Sequence, residues 1–424
     1  MSRFRPGRFI GVTLGTVAIL TVGIYGPATL LGPLPTATAT IVSPPAADSV
    51  SPPVLPAAGS SAVAVLPTDA SGALAAPASP AEPIASAGST APLPLASIAK
   101  VITALVVLDA KPLSAGEAGP GVTLTGEDYQ SYLDYSLRGS RTVAVFQDEV
   151  WSEQELLQAM LLGSSNNHAD TVARWAFGSL DAYATAANSW LSANGFTDTS
   201  VVDATGLSEA SVGTGSDLAG IAGIAAANPV IAAVLANPAS ALAGRRGVDN
   251  TTAYLPELGI TGLSRSYTDA AGVCFLFTAQ VADGDKSFVF SGAIVGEPDY
   301  TTLDADLTAL MDSARSGVAE NPILTQGDAY VEFTTAWGAS ASGVVGVSKT
   351  QFGWQAAIHT DPTVDVDTVT TGGAGSVVGR VATQTSAGET SSALELDKTI
   401  PDPGSGWRLL HPFVVIAALI DSRT

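Results

Sequence analysis

Residues 97–111 read SIAKVITALVVLDAK, a helix-length segment with almost no polar face. Ile98, Val101, Ile102, Leu105, Val106 and Leu108 are distributed around the whole axis, and such a helix belongs in the middle of a domain. Lys111-Pro112 ends it. A second helix is expected from near Trp151, because Ser152 and Glu155 form a capping box ahead of Leu156, Leu157, Met160 and Leu161. Further helices are expected at about 170–176, 180–194, 216–227 and 303–314. Residues 62–66 are an apolar run meeting a turn at 68–72. Residues 272–281 and 287–295 read as strands joined by a turn at 282–285. A strand, then helices, then strands describes one α/β (α+β) domain over 60–300.

Beyond that domain, 301–324 reads as a connecting helix. From 325 the composition turns to Gly, Thr and Val, and short strands are expected at 329–335, 342–347, 354–359 and 376–384. This gives a small all-β domain over 325–408. The tail, 409–424, contains an apolar stretch too short to span a bilayer.

The N-terminus reads as an address. Arg3, Arg5 and Arg8 precede an uncharged stretch from 9 to about 31, densest in apolar residues over 10–25. Positive charges before an apolar run stay on the cytoplasmic side, so the rest of the chain is exported. Residues 1–34 are a signal or an anchor in the membrane, with Ala37-Thr38-Ala39 as a signal-peptidase site in the first case. The Pro- and Ala-rich stretch 35–59 reads as a stiff spacer.

Composition removes several classes. A net charge of −21 argues against a nucleic-acid partner, which needs a basic face. The single cysteine, Cys274, excludes an internal disulfide. Three scattered histidines, His168, His359 and His411, give no structural zinc spacing. No metal or cofactor is implied.

The chain has five lysines, and only Lys100 has a serine three residues before it, Ser97. Positions i and i+3 share a helical face one turn apart. At a helix N-terminus a hydroxyl sits near the positive dipole end, and backbone N–H groups can face an oxyanion. A lysine amine desolvated among Ile98, Val101 and Ile102 loses its proton readily and can then take the serine's. A lone Ser-x-x-Lys is more often a surface pair; the apolar helix it opens distinguishes this one. Ser164-Ser165-Asn166 can project a hydroxyl and an amide into a cleft, although a Ser-x-Asn is more often a cap and turn.

Ser97-Ile98-Ala99-Lys100 followed about 65 residues later by Ser164-Ser165-Asn166 resembles the serine D-Ala-D-Ala carboxypeptidases, the low-molecular-mass penicillin-binding proteins. Val202-Asp203-Ala204-Thr205-Gly206-Leu207 and Ser216-Asp217-Leu218-Ala219 also look like actinobacterial members. The resemblance covers about 60–300 and implies a penicillin-binding/serine β-lactamase-like domain. The trailing β domain also resembles the one that succeeds the catalytic domain in this family. The resemblance further implies peptidoglycan stem peptides as substrate and β-lactams as covalent ligands, with Ser97 as nucleophile, Lys100 as base, Ser164 as proton relay and Asn166 holding the peptide. The Ser97 N–H would be one oxyanion donor, with the other on the third-motif strand.

The family's third motif, Lys-Thr-Gly, is absent. By its offset from Ala270-Ala271-Gly272, Ser264 stands for Lys, Arg265 for Thr and Ser266 for Gly. Arg265 is a candidate clamp for the substrate carboxylate, since guanidinium holds carboxylates well; strand alternation points neighbouring side chains to opposite faces and argues against it. The loss leaves two other readings: a non-catalytic wall-binding protein of the same fold, and an esterase or β-lactam hydrolase.

Overall fold

The computed structural model describes residues 10, 13–17, 19, 21–44, 52–67, 74, 82–245, 247–354, 362–385 and 388–422. The chain forms two compact units, one comprising 50–320 with 352–358, the other comprising 1–49, 321–351 and 359–424.

The larger unit is built on a five-stranded antiparallel sheet. Its strands are β1 (Ser60–Val65), β2 (Pro83–Gly88), β3 (Ile260–Thr268), β4 (Gly272–Asp283) and β5 (Lys286–Glu297), in the order β2-β1-β5-β4-β3. Alternation along the central strands divides the core in two. Ala62, Ala64, Cys274, Leu276 and Ala293 pack with Ile98, Ala99 and Ile102 on one side. Val63, Phe275, Phe277 and Phe290 pack on the other side with Leu303, Leu307, Leu310 and Met311 of the helix Tyr300–Gly317. That helix, expected as a connector, therefore covers a sheet face of the larger unit.

On the first side lie α1 (Ala99–Ala110), α2 (Gly126–Leu137), α3 (Glu153–Leu161), α4 (Asn166–Phe177), α5 (Leu180–Ala193), α6 (Gly215–Ala227) and α7 (Pro229–Ala236). Every residue of α1 from Ala99 to Leu108 is buried, the outcome its all-round apolar character demands. Ser152 caps α3 with both halves of the capping box in place. The helix α2 escaped the sequence reading because it is polar, with Asp128 its only buried residue; Thr125 and Asp128 start it with a second capping box.

In the smaller unit six antiparallel strands run in the order Thr38–Ile41, Ala329–Thr334, Ser340–Val345, Gly388–Leu396, Val377–Thr385, Thr363–Val366. Val331, Phe333, Val345, Val381, Leu394 and Leu396 are buried in it. Part of the expected spacer is thus a strand: Thr38 pairs with Thr334 and Ile41 with Val331. The tail forms helices Gly404–Leu410 and Pro412–Asp421, and Arg408 Nη1 donates to Gly32 O at 2.7 Å. The expected turn at 68–72 and the part of the expected 354–359 strand beyond Trp354 lie outside the described residues. Thr13–Leu30 is helical and apolar enough to cross a membrane, with a mean hydropathy of 1.4, which is compatible with an anchor or a signal sequence.

Candidate active site

Ser97 lies in a single 3₁₀ turn, Ala96–Ile98, that feeds α1. The turn is tight: Ala96 has φ 45°, and its carbonyl is pressed against Gly206, where a Cβ would come within 1.7 Å of that oxygen. Gly206 itself has φ 74°, so only glycine fits there. One helical turn on, Lys100 Nζ donates to Ser97 Oγ at 2.9 Å and to Thr205 O at 3.0 Å. Lys100 is 2% exposed. Burial pushes its pKa down to about 7; Asp203 and Asp170 oppose the fall and Arg141 adds to it.

The loop that presents Thr205 O is tied by Asp203. Its carboxylate accepts from Thr205 Oγ1 (2.7 Å), Gly206 N (3.2 Å), Leu207 N (3.0 Å), Ser208 N (3.2 Å) and Ser211 Oγ (2.6 Å). Thr103 Oγ1, in α1, donates to Ala204 O at 2.9 Å and fastens the loop from below. Sequence reading passed over Asp203 as a functional residue; Asp-Ala-Thr-Gly over 203–206, the composition of a side-chain-closed turn, is the signal it carried.

Ser164 occupies the turn between α3 and α4 with φ 51°, and its Oγ donates to Ser97 Oγ at 3.1 Å. Asn166 opens α4; it is 3% exposed, and its Oδ1 has no hydrogen-bond partner. The turn is held by Ser165 Oγ, which meets Asn167 Oδ1 at 2.7 Å and His168 Nδ1 at 2.8 Å and accepts from Val143 N at 3.1 Å. His168 is a buried neutral imidazole against Trp151, its pKa pushed down to about 3 by burial. Asp170, one turn beyond Asn166, accepts from Ser131 Oγ and Tyr135 Oη; burial raises its pKa.

The third-motif positions lie on β3. Ser264 pairs with Leu276 and Ser266 with Cys274, which places both on the α1 side of the sheet. Ser266 Oγ accepts a hydrogen bond from the Ser97 backbone N–H at 3.1 Å. Arg265 pairs with Phe275, which faces the opposite layer. Its guanidinium lies 4.6 Å from the Tyr254 ring centroid and 5.7 Å from that of Tyr300. The expected carboxylate clamp at Arg265 is therefore corrected: alternation along the strand turns the side chain onto two tyrosines. Ser97, Lys100, Ser164, Ser264 and Arg265 all border one small cavity, with Val101 and Leu263 supplying apolar wall. Thus Ser97, Lys100, Ser164, Ser264 and Ser266 converge, and the guanidinium of Arg265 does not join them.

Among solved structures, the fold is similar to penicillin binding protein 5 from Haemophilus influenzae (TM-score 0.56, 15% identity, 84% of this chain and 100% of that one). It is also similar to penicillin binding protein 6B from Escherichia coli (TM-score 0.56, 14% identity, 84% and 98%). A third likeness is to the D-alanyl-D-alanine carboxypeptidase DacD from Francisella tularensis (TM-score 0.55, 14% identity, 84% and 98%). The architecture is therefore the penicillin-binding fold, a mixed helix-and-sheet domain accompanied by an all-β part. No curated protein matches the sequence. The family model described as D-alanyl-D-alanine carboxypeptidase matches residues 66–290, a span holding the Ala96–Ile98 turn, Ser164-Ser165-Asn166 and all of β3 and β4. The chain belongs to the D-alanyl-D-alanine carboxypeptidase family and is a serine peptidase of that kind.

Proposed function

We propose that the enzyme trims the terminal D-Ala from peptidoglycan stem peptides through an acyl-enzyme on Ser97, and that β-lactams acylate the same oxygen. The observation that carries this reading is the pair of contacts on Ser97 Oγ, Lys100 Nζ at 2.9 Å and Ser164 Oγ at 3.1 Å. With its pKa near 7, the Lys100 amine is neutral in a large fraction of molecules at physiological pH and can take the Ser97 proton. Ser97 Oγ then bonds to the penultimate D-Ala carbonyl carbon, and the C–N bond to the terminal residue breaks. Ser164 passes the proton to the departing amine, and water hydrolyses the ester. Asn166 Oδ1, buried and unpartnered, is available to accept an N–H of the peptide.

With Arg265 turned away, we assign the counter-charge for the terminal carboxylate to Arg141. This exposed residue has no ion pair among the described residues, and its backbone carbonyl accepts from Asn166 N at 3.0 Å. Its charge already acts on Lys100. We also propose that the N-terminal segment is an uncleaved anchor. Cleavage after Ala39 would cut the strand Thr38–Ile41, and Tyr25 Oη and Gly32 O both bond to the C-terminal helical segment.

The test is labelling with a fluorescent penicillin, with the modified residue located by mass spectrometry. Label on Ser97 in the wild type, absent from Ser97→Ala, supports the reading; absence of label and of D-Ala release from the wild type favours the wall-binding alternative. Detection of residues before Ala37 in the mature chain checks the anchor.

A further inference from the structure

In the mechanism proposed above, the Ser97 backbone N–H is one of the donors that receive the developing oxyanion. Here that N–H is already engaged, by Ser266 Oγ at 3.1 Å. The acceptor exists because serine stands where the family's motif carries glycine, which has no hydroxyl. The backbone of β3 cannot readily carry it away: Ser266 sits in a continuous antiparallel register, paired with Cys274 and flanked by Arg265 on Phe275 and Tyr267 on Val273. The residue is 8% exposed, so water has little access to replace the bond. Only rotation about χ1 can release the donor.

We propose that Ser266 is a rate-setting cap on the oxyanion donor, which makes this enzyme slow to be acylated, by β-lactams in particular. The proposal rests on Ser97 being the nucleophile. A carbonyl oxygen approaching Ser97 has to displace the Ser266 hydroxyl before the N–H can stabilise the tetrahedral intermediate. An acyl donor with many contacts along β3 can offset that displacement from binding remote to the reacting carbon. A small bicyclic β-lactam has fewer such contacts, so the cap selects for peptide over antibiotic. Ser266 is in this sense a positioning residue, acting through the Ser97 N–H.

The test measures acylation by a fluorescent penicillin in the full-length protein held in detergent, comparing wild type, Ser266→Ala, Ser266→Gly and Ser266→Thr. Removing a net hydrogen bond that competes with the reacting carbonyl is expected to raise the acylation rate constant about 10-fold in Ser266→Ala and Ser266→Gly. The gain is expected in the rate at saturating penicillin. Ser266→Thr, which keeps the hydroxyl, is expected to stay near wild type. Equal rates on Ser97 in wild type and Ser266→Ala would overturn the cap while leaving the proposed nucleophile intact. Acceleration in Ser266→Gly alone would also overturn it, since side-chain bulk would then be the obstacle. No modification of Ser97 in any of the four proteins would overturn both readings.

Discussion

Replacing Lys100 by methionine removes the proposed base and should, at neutral pH, make the protein more stable. A lysine whose pKa falls from 10.5 in water to about 7 in the fold opposes folding by about 5 kcal/mol at pH 7 or below, at ~1.4 kcal/mol per tenfold change in proton affinity. The sign comes from proton counting. The unfolded chain binds the extra proton between about 7 and 10.5, so stability rises with pH across that window and the penalty fades toward its upper end. Methionine carries no such penalty and has a similar length. Against the gain stand two hydrogen bonds, to Ser97 Oγ and Thr205 O, and the orphaned carbonyl, together costing about 2–4 kcal/mol. The expected net is about 1–3 kcal/mol of stabilisation at pH 7, shrinking or reversing by pH 10, with acylation lost. Urea unfolding of both proteins at pH 7 and pH 10 measures it. A variant destabilised by the same amount at both pH values would show that Lys100 is not held as a strained, largely neutral amine, and the account of the base would fail with it.

The same pKa sets the pH profile: acylation of Ser97 should rise with pH, reach half its plateau near 7 and level off above, and a flat rate from pH 5 to 9 would contradict it. Arg265→Ala should leave acylation within about 2-fold while removing about 1 kcal/mol of stability from its stacking on Tyr254 and Tyr300, as read by denaturation and penicillin labelling together. Asp203→Ala frees five donors and unpins Thr205 O from Lys100, so acylation should fall by about 10- to 100-fold in the labelling assay. Arg141→Ala should weaken turnover of a peptide ending in a free carboxylate far more than that of its C-terminal amide, and equal losses on both would remove Arg141 from carboxylate recognition.

Much of the site was legible because its parts are local. Ser97 and Lys100 are one helical turn apart, and the apolar residues around them announce the burial that lowers the amine's pKa. Ser152 and Glu155 likewise carry their capping geometry within four residues. The offset from Ala270-Ala271-Gly272 located Ser264, Arg265 and Ser266, and alternation already argued against Arg265 facing Ser97. The bond from Ser97 N–H to Ser266 Oγ was not legible, because it joins residues 169 apart through the register of β3 on β4. Helix α2 was missed for lack of an apolar stripe, since its stability comes from a cap and from Asp128 binding Thr171 and Arg174. The strand Thr38–Ile41 was read as spacer because all four of its residues are exposed, and a strand without a buried face leaves no periodic trace.

That strand also bears on how the polypeptide is assembled. Synthesised from its amino end, the chain delivers Thr38–Ile41 early, yet the segment that hydrogen-bonds to it, Ala329–Thr334, emerges almost three hundred residues later. The intervening stretch contains nearly all of the larger unit, which can begin folding as an insertion while the first strand waits. Completion of the small sheet then reports that synthesis is nearly over, and a polypeptide stalled before residue 329 would carry an unpaired β-edge open to proteolysis or to the wrong partner, with Trp354 still missing from the larger unit's core.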